Sequence, residues 1–251
     1  MKVTKQTLHL PLLKREATLY IARPDSLDER ARYPVIYMHD GQNLFFAEDA
    51  YNQRPWNVQK ALEMPGMPEV IVVGIDSPKD ERRLDEYSPF VFEIDHARGG
   101  RGDQYIRDIK ETVKPYIDAH YPTDPSPANT ALIGASMGGN ISLYGLLAHP
   151  DTFTRAASLS GAFFTAPSAV KKWLSTVDFT HVNKLYMDCG DCENHHASSE
   201  DYLTTNGMVA AHITNILDNF SVRYEIIAGG THNEDAWAQR IGGIIRYLFS
   251  D

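Results

Sequence analysis

Short apolar runs alternate along the chain with longer stretches in which apolar residues recur at helical spacing. Such alternation is typical of a mostly parallel sheet with helices on both faces. The runs predicted as strands are VTKQTLHL, REATLYIAR, PVIYMHD, EVIVVGID, TALIGA, AASLSG, KLYMDCG and VRYEIIAG. Several are nearly continuous in apolar residues, as expected for strands buried on both faces, whereas the first two predict an antiparallel hairpin at the sheet edge.

Three stretches show helical periodicity, and their apolar residues would share one face of each helix. In chain order these faces contain Ile106, Ile109, Val113, Tyr116 and Ile117; then Met208, Val209, Ile213, Ile216 and Leu217; and last Trp237, Ile241, Ile244, Ile245 and Leu248. Pro115 is expected to kink the first of these helices. No repeat or linker divides the chain, so the pattern predicts one α/β domain over residues 1–251 with about eight strands.

Composition and charge narrow the class of protein. The 251 residues are 43% hydrophobic and 23% charged, with a formal net charge of -9, and this composition is ordinary for a globular chain. The negative charge argues against binding of nucleic acid through its phosphates. No apolar stretch has the length of a membrane span or of a signal-peptide core, so we expect a soluble cytoplasmic protein with no membrane partner. Composition leaves open whether the chain forms homo-oligomers.

The segment GASMG places a serine between a predicted strand and a predicted helix. Gly134 follows the apolar run TALI, and apolar residues at helical spacing follow Ser136 until Pro150. Small residues on both sides allow the strained turn of a nucleophile elbow, in which a serine hydroxyl projects above the sheet. This context predicts Ser136 as a nucleophile and the amide of Met137 as an oxyanion donor at the start of the helix. The alternative is a small-residue crossover without chemistry.

A serine hydroxyl is a weak nucleophile at neutral pH and needs a base within hydrogen-bond reach. In an elbow of this kind the chain order is serine, acid, histidine. His232 follows the last predicted strand and precedes the terminal amphipathic helix, which would place it at the carboxyl edge of the sheet. We therefore predict His232 as the base, against the alternative of a loop histidine or helix cap.

The acid that orients this base should follow the strand KLYMDCG, where Asp188, Asp191 and Glu193 are the candidates. Asp188 lies inside the predicted strand, so its side chain could point into a packed face. Glu193 comes three residues after Gly190, far enough along the loop to reach a histidine. The sequence favours Glu193 and leaves the two aspartates open.

A second oxyanion donor should follow the third strand, and YMHDGQNLFF supplies a candidate. Gly41 lets the chain turn closely, so the amide of Gln42 could point inward, although a plain tight turn would explain the same residues. Residues 77–102 form a long polar stretch of weak periodicity, and ordered loops of that length often serve a function. We predict that this loop covers the substrate pocket, with Arg82, Arg83 and Tyr87 as candidate contacts; the alternative is a solvated loop.

An ordered series of segments extends over nearly the whole chain: VIYMHDGQNLF, RRLDEYSPF, GGRGDQYIRDIKETVKPYIDAHYPT, ALIGASMGGNISLYGLLAHPDTF, LYMDCGDCEN and GGTHNEDAW. This series resembles an esterase family of the α/β-hydrolase fold that includes enterochelin esterases, esterase D, some feruloyl esterases and the antigen 85 mycolyltransferases. The resemblance implies Ser136 as nucleophile, His232 as base, Glu193 as acid, and Gln42 and Met137 as oxyanion amides.

The resemblance also implies hydrolysis of a small-molecule carboxylic ester through an acyl-enzyme, with no metal or organic cofactor. An acyltransferase with the same catalytic groups and a noncatalytic binding protein with the same fold are the alternatives. The segment CGDCENHH has the spacing of a redox dithiol, Cys189 and Cys192, and with His195 and His196 that of a zinc site. The two cysteines stand at the end of the strand KLYMDCG, late in the chain and beside the candidate acid. We therefore favour the interpretation that they are two thiols packed around a loop.

Overall fold

The computed structural model describes residues 1–218 and 220–250, so Asp251, the last residue of the predicted domain, lies outside them. The strands are β1 (Lys2–Leu10), β2 (Arg15–Arg23), β3 (Val35–His39), β4 (Ile71–Ile75), β5 (Val91–Glu93), β6 (Ala97–Gly99), β7 (Thr130–Ala135), β8 (Arg155–Leu159), β9 (Lys184–Cys192) and β10 (Val222–Thr231). The helices are α1 (Val58–Leu62), α2 (Arg82–Glu86), α3 (Gly102–Asp108), α4 (Lys114–His120), α5 (Met137–Ala148), α6 (Pro167–Leu174), α7 (Ser199–Thr214) and α8 (Glu234–Leu248).

Eight strands form one sheet in the order β1-β2-β4-β3-β7-β8-β9-β10. Neighbouring strands in the run β4-β3-β7-β8-β9-β10 pair in parallel. In contrast, β2 pairs antiparallel with both β1 and β4. The prediction of a mostly parallel α/β sheet with an antiparallel hairpin at its edge is therefore confirmed. Ile36 and Tyr37 in β3 are fully buried in the two opposite core layers, because successive strand residues point to opposite faces.

The predicted helical faces are present with two differences. The first stretch forms α3 and α4 with a π-helical turn, Ile109–Val113, between them. Pro115 is the second residue of α4 and has no N–H to continue the regular hydrogen-bond ladder, which agrees with an irregularity just before it. The other difference is that α7 ends at Thr214, so Ile216 and Leu217 lie beyond the helix.

Residues 77–102, predicted from weak periodicity as a loop, contain α2 and the small antiparallel pair β5–β6. Arg15 fastens this segment to β2, because its guanidinium donates to both carboxylate oxygens of the buried Glu86 at 2.9–3.1 Å. Elements of three to five residues are too short to show a period, so the sequence pattern missed them.

The carboxyl ends of five parallel strands meet at one edge of the sheet, where open α/β sheets generally carry their sites. One chemically active side chain directly follows each of β3, β7, β8, β9 and β10; these are Asp40, Ser136, Ser160, Glu193 and His232. Within the described residues, no helix is long and apolar enough to cross a membrane.

Candidate active site

Ser136 occupies a strained turn between β7 and α5. Its φ of 58° and ψ of −124° lie in a region that residues with a side chain rarely adopt. Neighbouring glycines make room for the turn, because a Cβ on Gly134 would lie 2.5 Å from the Gly138 carbonyl oxygen. Ser136 is partly exposed, whereas Ala135 and Met137 on either side are buried. The fold thus presents this one hydroxyl at the sheet edge.

His232 and Glu193 form a short hydrogen bond at the same edge. The histidine Nδ1 lies 2.6 Å from Glu193 Oε2, and the two side chains are 4% and 0% exposed. Burial raises the pKa of Glu193, but hydrogen bonds from His232 and Ser160 outweigh burial and lower that pKa below its ordinary value. The carboxylate is therefore ionised at neutral pH and can only accept, so Nδ1 carries the proton and Nε2 is free to accept one.

Neither aspartate candidate contacts the imidazole. Asp188 is fully buried and binds Arg240 through both carboxylate oxygens, at 2.8 and 3.1 Å. Asp191 is exposed, and its Oδ1 accepts from the amide of Gly229 at 2.7 Å. Of the three predicted candidates, the structure brings only Glu193 to His232.

Tyr202 on α7 links the serine and the histidine, a contact that no sequence pattern indicated. Its hydroxyl lies 3.5 Å from His232 Nε2 and donates its one hydrogen to the His195 carbonyl at 3.0 Å, so in its hydrogen bond with Ser136 the tyrosine oxygen accepts. Burial, followed by the charge of Glu193, raises the pKa of Tyr202, so the phenol is neutral. Residues 1–218 and 220–250 show no direct hydrogen bond between Ser136 and His232, and such bonds often form only when substrate binds.

The two backbone amides predicted as oxyanion donors make no hydrogen bond to the described part of the chain. Within the described residues, neither the Gln42 N–H nor the Met137 N–H has a protein acceptor. Gln42 directly follows Gly41, whose backbone packs closely against that of Gly74. A Cβ on Gly41 would lie only 2.5 Å from the carbonyl carbon of Gly74. Both amides are therefore available to an outside acceptor, and they remain our candidates for the oxyanion donors.

Asp40 anchors the turn that carries Gln42. It has a positive φ of 55° and is mostly buried. Arg83 donates to both of its carboxylate oxygens at 2.7 and 2.8 Å, and the hydroxyl of Ser77 donates to Oδ1 at 2.7 Å. The amide of Asp40 donates to the hydroxyl of Tyr87 at 2.9 Å. Part of the segment 77–102 therefore holds this turn in place.

The three predicted substrate contacts lie in different environments. Arg82 is exposed and binds Asp80. Arg83 is committed to Asp40 and lies 4.9 Å from the ring centre of Tyr87, which is fully buried. In this conformation Arg83 and Tyr87 support the Asp40 turn, and of the three predicted contacts Arg82 alone has an exposed side chain.

Replacing Arg83 with methionine should lower the free energy of unfolding by about 3 kcal/mol near neutral pH, because Asp40 would be left as a buried, unpaired charge. We place the loss at the low end for buried pairs because the Arg83 side chain is 27% exposed. Urea unfolding measures this change. Arg82→Met is the matched control and should leave the urea midpoint close to that of wild type, because the Arg82 side chain and its partner Asp80 are both exposed.

The ion pair between Asp40 and Arg83 also predicts how the free energy of unfolding depends on pH. Burial raises the pKa of Asp40, but Arg83 and Ser77 outweigh burial and lower the pKa below its ordinary value. The pairing with Arg83 therefore stabilises the fold fully above about 3.9, the pKa of Asp40 in the unfolded chain. This contribution is lost as pH falls through the lower pKa of Asp40 in the folded protein. The free energy of unfolding of Arg83→Met should therefore differ less from that of wild type at about pH 3 than at about pH 7. A difference that stays constant would contradict this assignment.

The cysteines lie at the end of β9. Both are free thiols, Cys189 buried and Cys192 exposed. Burial, followed by the charges of Glu193 and Asp188, raises the pKa of Cys189 to about 12, which disfavours the thiolate that redox chemistry requires. Over residues 1–218 and 220–250, no group of three or more His, Cys, Asp or Glu side chains has a metal-binding arrangement.

A strained serine that directly follows a central parallel strand and opens a helix defines the α/β-hydrolase class of folds. Residues 11–248 match the family described as Putative esterase, so the chain belongs to this family of serine hydrolases, as the sequence resemblance predicted. The chain is 30% identical over 189 residues to the uncharacterized protein YbbA of Bacillus subtilis, covering 74% of this chain and 71% of YbbA.

Other similar proteins are named as siderophore esterases. The ferri-bacillibactin esterase BesA of Bacillus subtilis is 27% identical over 205 residues, covering 72% of this chain and 67% of BesA. The crystal structure of the enterobactin esterase FES from Shigella flexneri superposes with a TM-score of 0.78 at 17% identity. That match covers 99% of this chain but spans only 59% of the FES chain.

Proposed function

We propose that this protein hydrolyses a carboxylic ester through an acyl-enzyme, with Ser136 as nucleophile, His232 as base and Glu193 as acid. The observation that carries the proposal is the 2.6 Å hydrogen bond between His232 and an ionised Glu193, at the sheet edge that carries the strained Ser136. Membership of the esterase family supports the same reaction.

In the proposed first step, the Ser136 hydroxyl leaves Tyr202 and turns to His232 Nε2, which removes its proton as Oγ attacks the ester carbonyl. The negative charge that develops on the carbonyl oxygen is stabilised by the Gln42 and Met137 amides. His232 then donates the proton to the leaving alcohol, while Glu193 stabilises the imidazolium and holds its ring. Water repeats the cycle and releases the acid.

The substrate class is a small-molecule ester. The names of BesA and FES refer to siderophore esters, so a siderophore lactone belongs among the substrates to be tested on this chain. Arg82, at the exposed start of α2, remains our candidate for a contact with substrate.

A substrate screen with mass spectrometry tests the proposal. Short-acyl, cinnamoyl, thioester and siderophore lactone substrates are incubated with the protein, with and without an added alcohol, and then quenched in acid. We expect release of the free acid and an acyl adduct on the peptide that contains Ser136. Product formed only with an alcohol acceptor would indicate an acyltransferase. No turnover, together with no labelling by a fluorophosphonate, would indicate a binding protein.

A further inference from the structure

Ser160 directly follows β8 and is held in an unusual conformation. It is fully buried and has a φ of 47°, in the left-handed region that favours glycine. Its amide donates to the Asp188 carbonyl oxygen at 3.0 Å and to Asp188 Oδ1 at 3.2 Å. Arg240 in turn binds the Asp188 carboxylate. The surrounding structure thus fixes a serine where most residues would be strained.

The hydrogen bonds of the Ser160 hydroxyl have a fixed direction. Trp237 Nε1 lies 3.0 Å from Ser160 Oγ, and Glu193 Oε1 lies 2.5 Å from the same atom. An indole N–H can only donate and an ionised carboxylate can only accept. The Ser160 hydrogen must therefore point to Glu193, and Trp237 must donate to Ser160.

The two oxygens of Glu193 consequently have separate partners. Oε1 accepts from Ser160 at 2.5 Å and from the Gly190 amide at 2.7 Å, whereas Oε2 accepts from His232 at 2.6 Å. With Oε1 held by two donors, the carboxylate group cannot turn without breaking a hydrogen bond to a charged acceptor. Such bonds are among the stronger ones in proteins.

We propose that Ser160 is a positioning residue for the reaction proposed above: its hydroxyl fixes the Glu193 carboxylate so that Oε2 meets His232 Nδ1. The inference rests on the proposed function for its effect on catalysis. Its structural part, the restraint on the Glu193–His232 hydrogen bond, can be measured without any substrate.

The chain provides a matched control two residues earlier in sequence. Ser158 is also fully buried, but its hydroxyl has no hydrogen-bond partner within the described residues. Ser158→Ala removes a buried hydroxyl from within β8, two residues before Ser160, without removing any hydrogen bond to Glu193. Two variants remove the Ser160 hydroxyl: Ser160→Ala keeps the backbone strain, and Ser160→Gly relieves it.

The experiment compares these variants by steady-state kinetics, thermal unfolding and proton NMR of the His232 Nδ1–H, assigned by its loss in His232→Gln. Both Ser160 variants should lower kcat by about 10- to 100-fold with KM changed by less than about twofold, because the lost bond acts on the transition state. The downfield Nδ1–H resonance should shift or broaden in both. Ser158→Ala should match wild type in kcat and in this resonance.

A wild-type kcat and an unchanged Nδ1–H resonance in Ser160→Gly would overturn the inference. If Ser160→Ala fails to fold, Ser160→Gly carries the comparison, since it removes the hydroxyl without the positive-φ cost. If the wild-type protein hydrolyses no ester, the proposed function fails, but the resonance still decides whether Ser160 restrains Glu193. A shift that also appears in Ser158→Ala would count against the inference.

Discussion

Replacing Ser136 with alanine should lower kcat for ester hydrolysis by about 10⁵- to 10⁶-fold, because the proposed acyl-enzyme forms on this hydroxyl. The fold should survive, since alanine and serine bear the same cost at a φ of 58°. The hydroxyl's hydrogen bond to Tyr202 is the contact that is lost. Initial rates on the best ester of the screen, together with circular dichroism and thermal unfolding, measure both parts of this expectation.

Ser142→Ala is the matched control for this variant. Ser142 lies on α5, which begins directly after Ser136, is fully buried, and donates its hydroxyl only to the Gly138 carbonyl at 2.8 Å. Its loss should leave kcat within about twofold of wild type, because such a bond within a helix contributes little to stability. Hydrolysis by Ser136→Ala at more than about one per cent of the wild-type rate would refute Ser136 as the nucleophile.

Replacing Glu193 with glutamine should lower kcat by about 10³- to 10⁴-fold. Ser160 and Gly190 both donate to Oε1, so the amide oxygen of the new side chain must occupy that place. Its NH₂ group then faces His232 Nδ1, which is forced to accept. The ring proton moves to Nε2, and the imidazole can no longer take the proton of Ser136.

Asp191→Asn and Asp188→Asn complete this test. Asp191 is exposed and accepts from the backbone amide of Gly229, so its variant should keep kcat within about threefold of wild type. Asp188→Asn leaves Arg240 without its buried carboxylate, so we expect lower stability and a smaller loss of kcat than in Glu193→Gln. A larger loss of kcat in either aspartate variant would reassign the acid.

Much of the fold could be predicted because its signals are local. Strands such as TALIGA are continuous apolar runs between breaks, and the apolar face of α8 repeats over a full helix. The class of fold followed from one strand-to-helix junction at Ser136, whose small neighbours are required by the close packing around Gly134. Each of these features depends on a few neighbouring residues.

Other features depend on contacts between distant residues and had no local signal. Ser160 is a serine like many others until Glu193, 33 positions later, bonds to it. The sequence pattern even placed Ser160 inside the predicted strand AASLSG, whereas in the structure it directly follows β8, as Ser136 follows β7. The buried location of Tyr87 was also missed, because only the assembled Asp40 turn gives its hydroxyl a partner.

For the proposed reaction, the contact between Gly41 and Gly74 limits which positions can be changed to alter the substrate range. A Cβ on Gly74 would lie 2.9 Å from the Gly41 Cα, so a larger residue at either position pushes the two chain segments apart. Directed-evolution libraries should therefore keep this glycine pair invariant and randomise exposed positions such as Arg82. Variants recovered from such a library would differ in which esters they accept while retaining the capacity to turn them over.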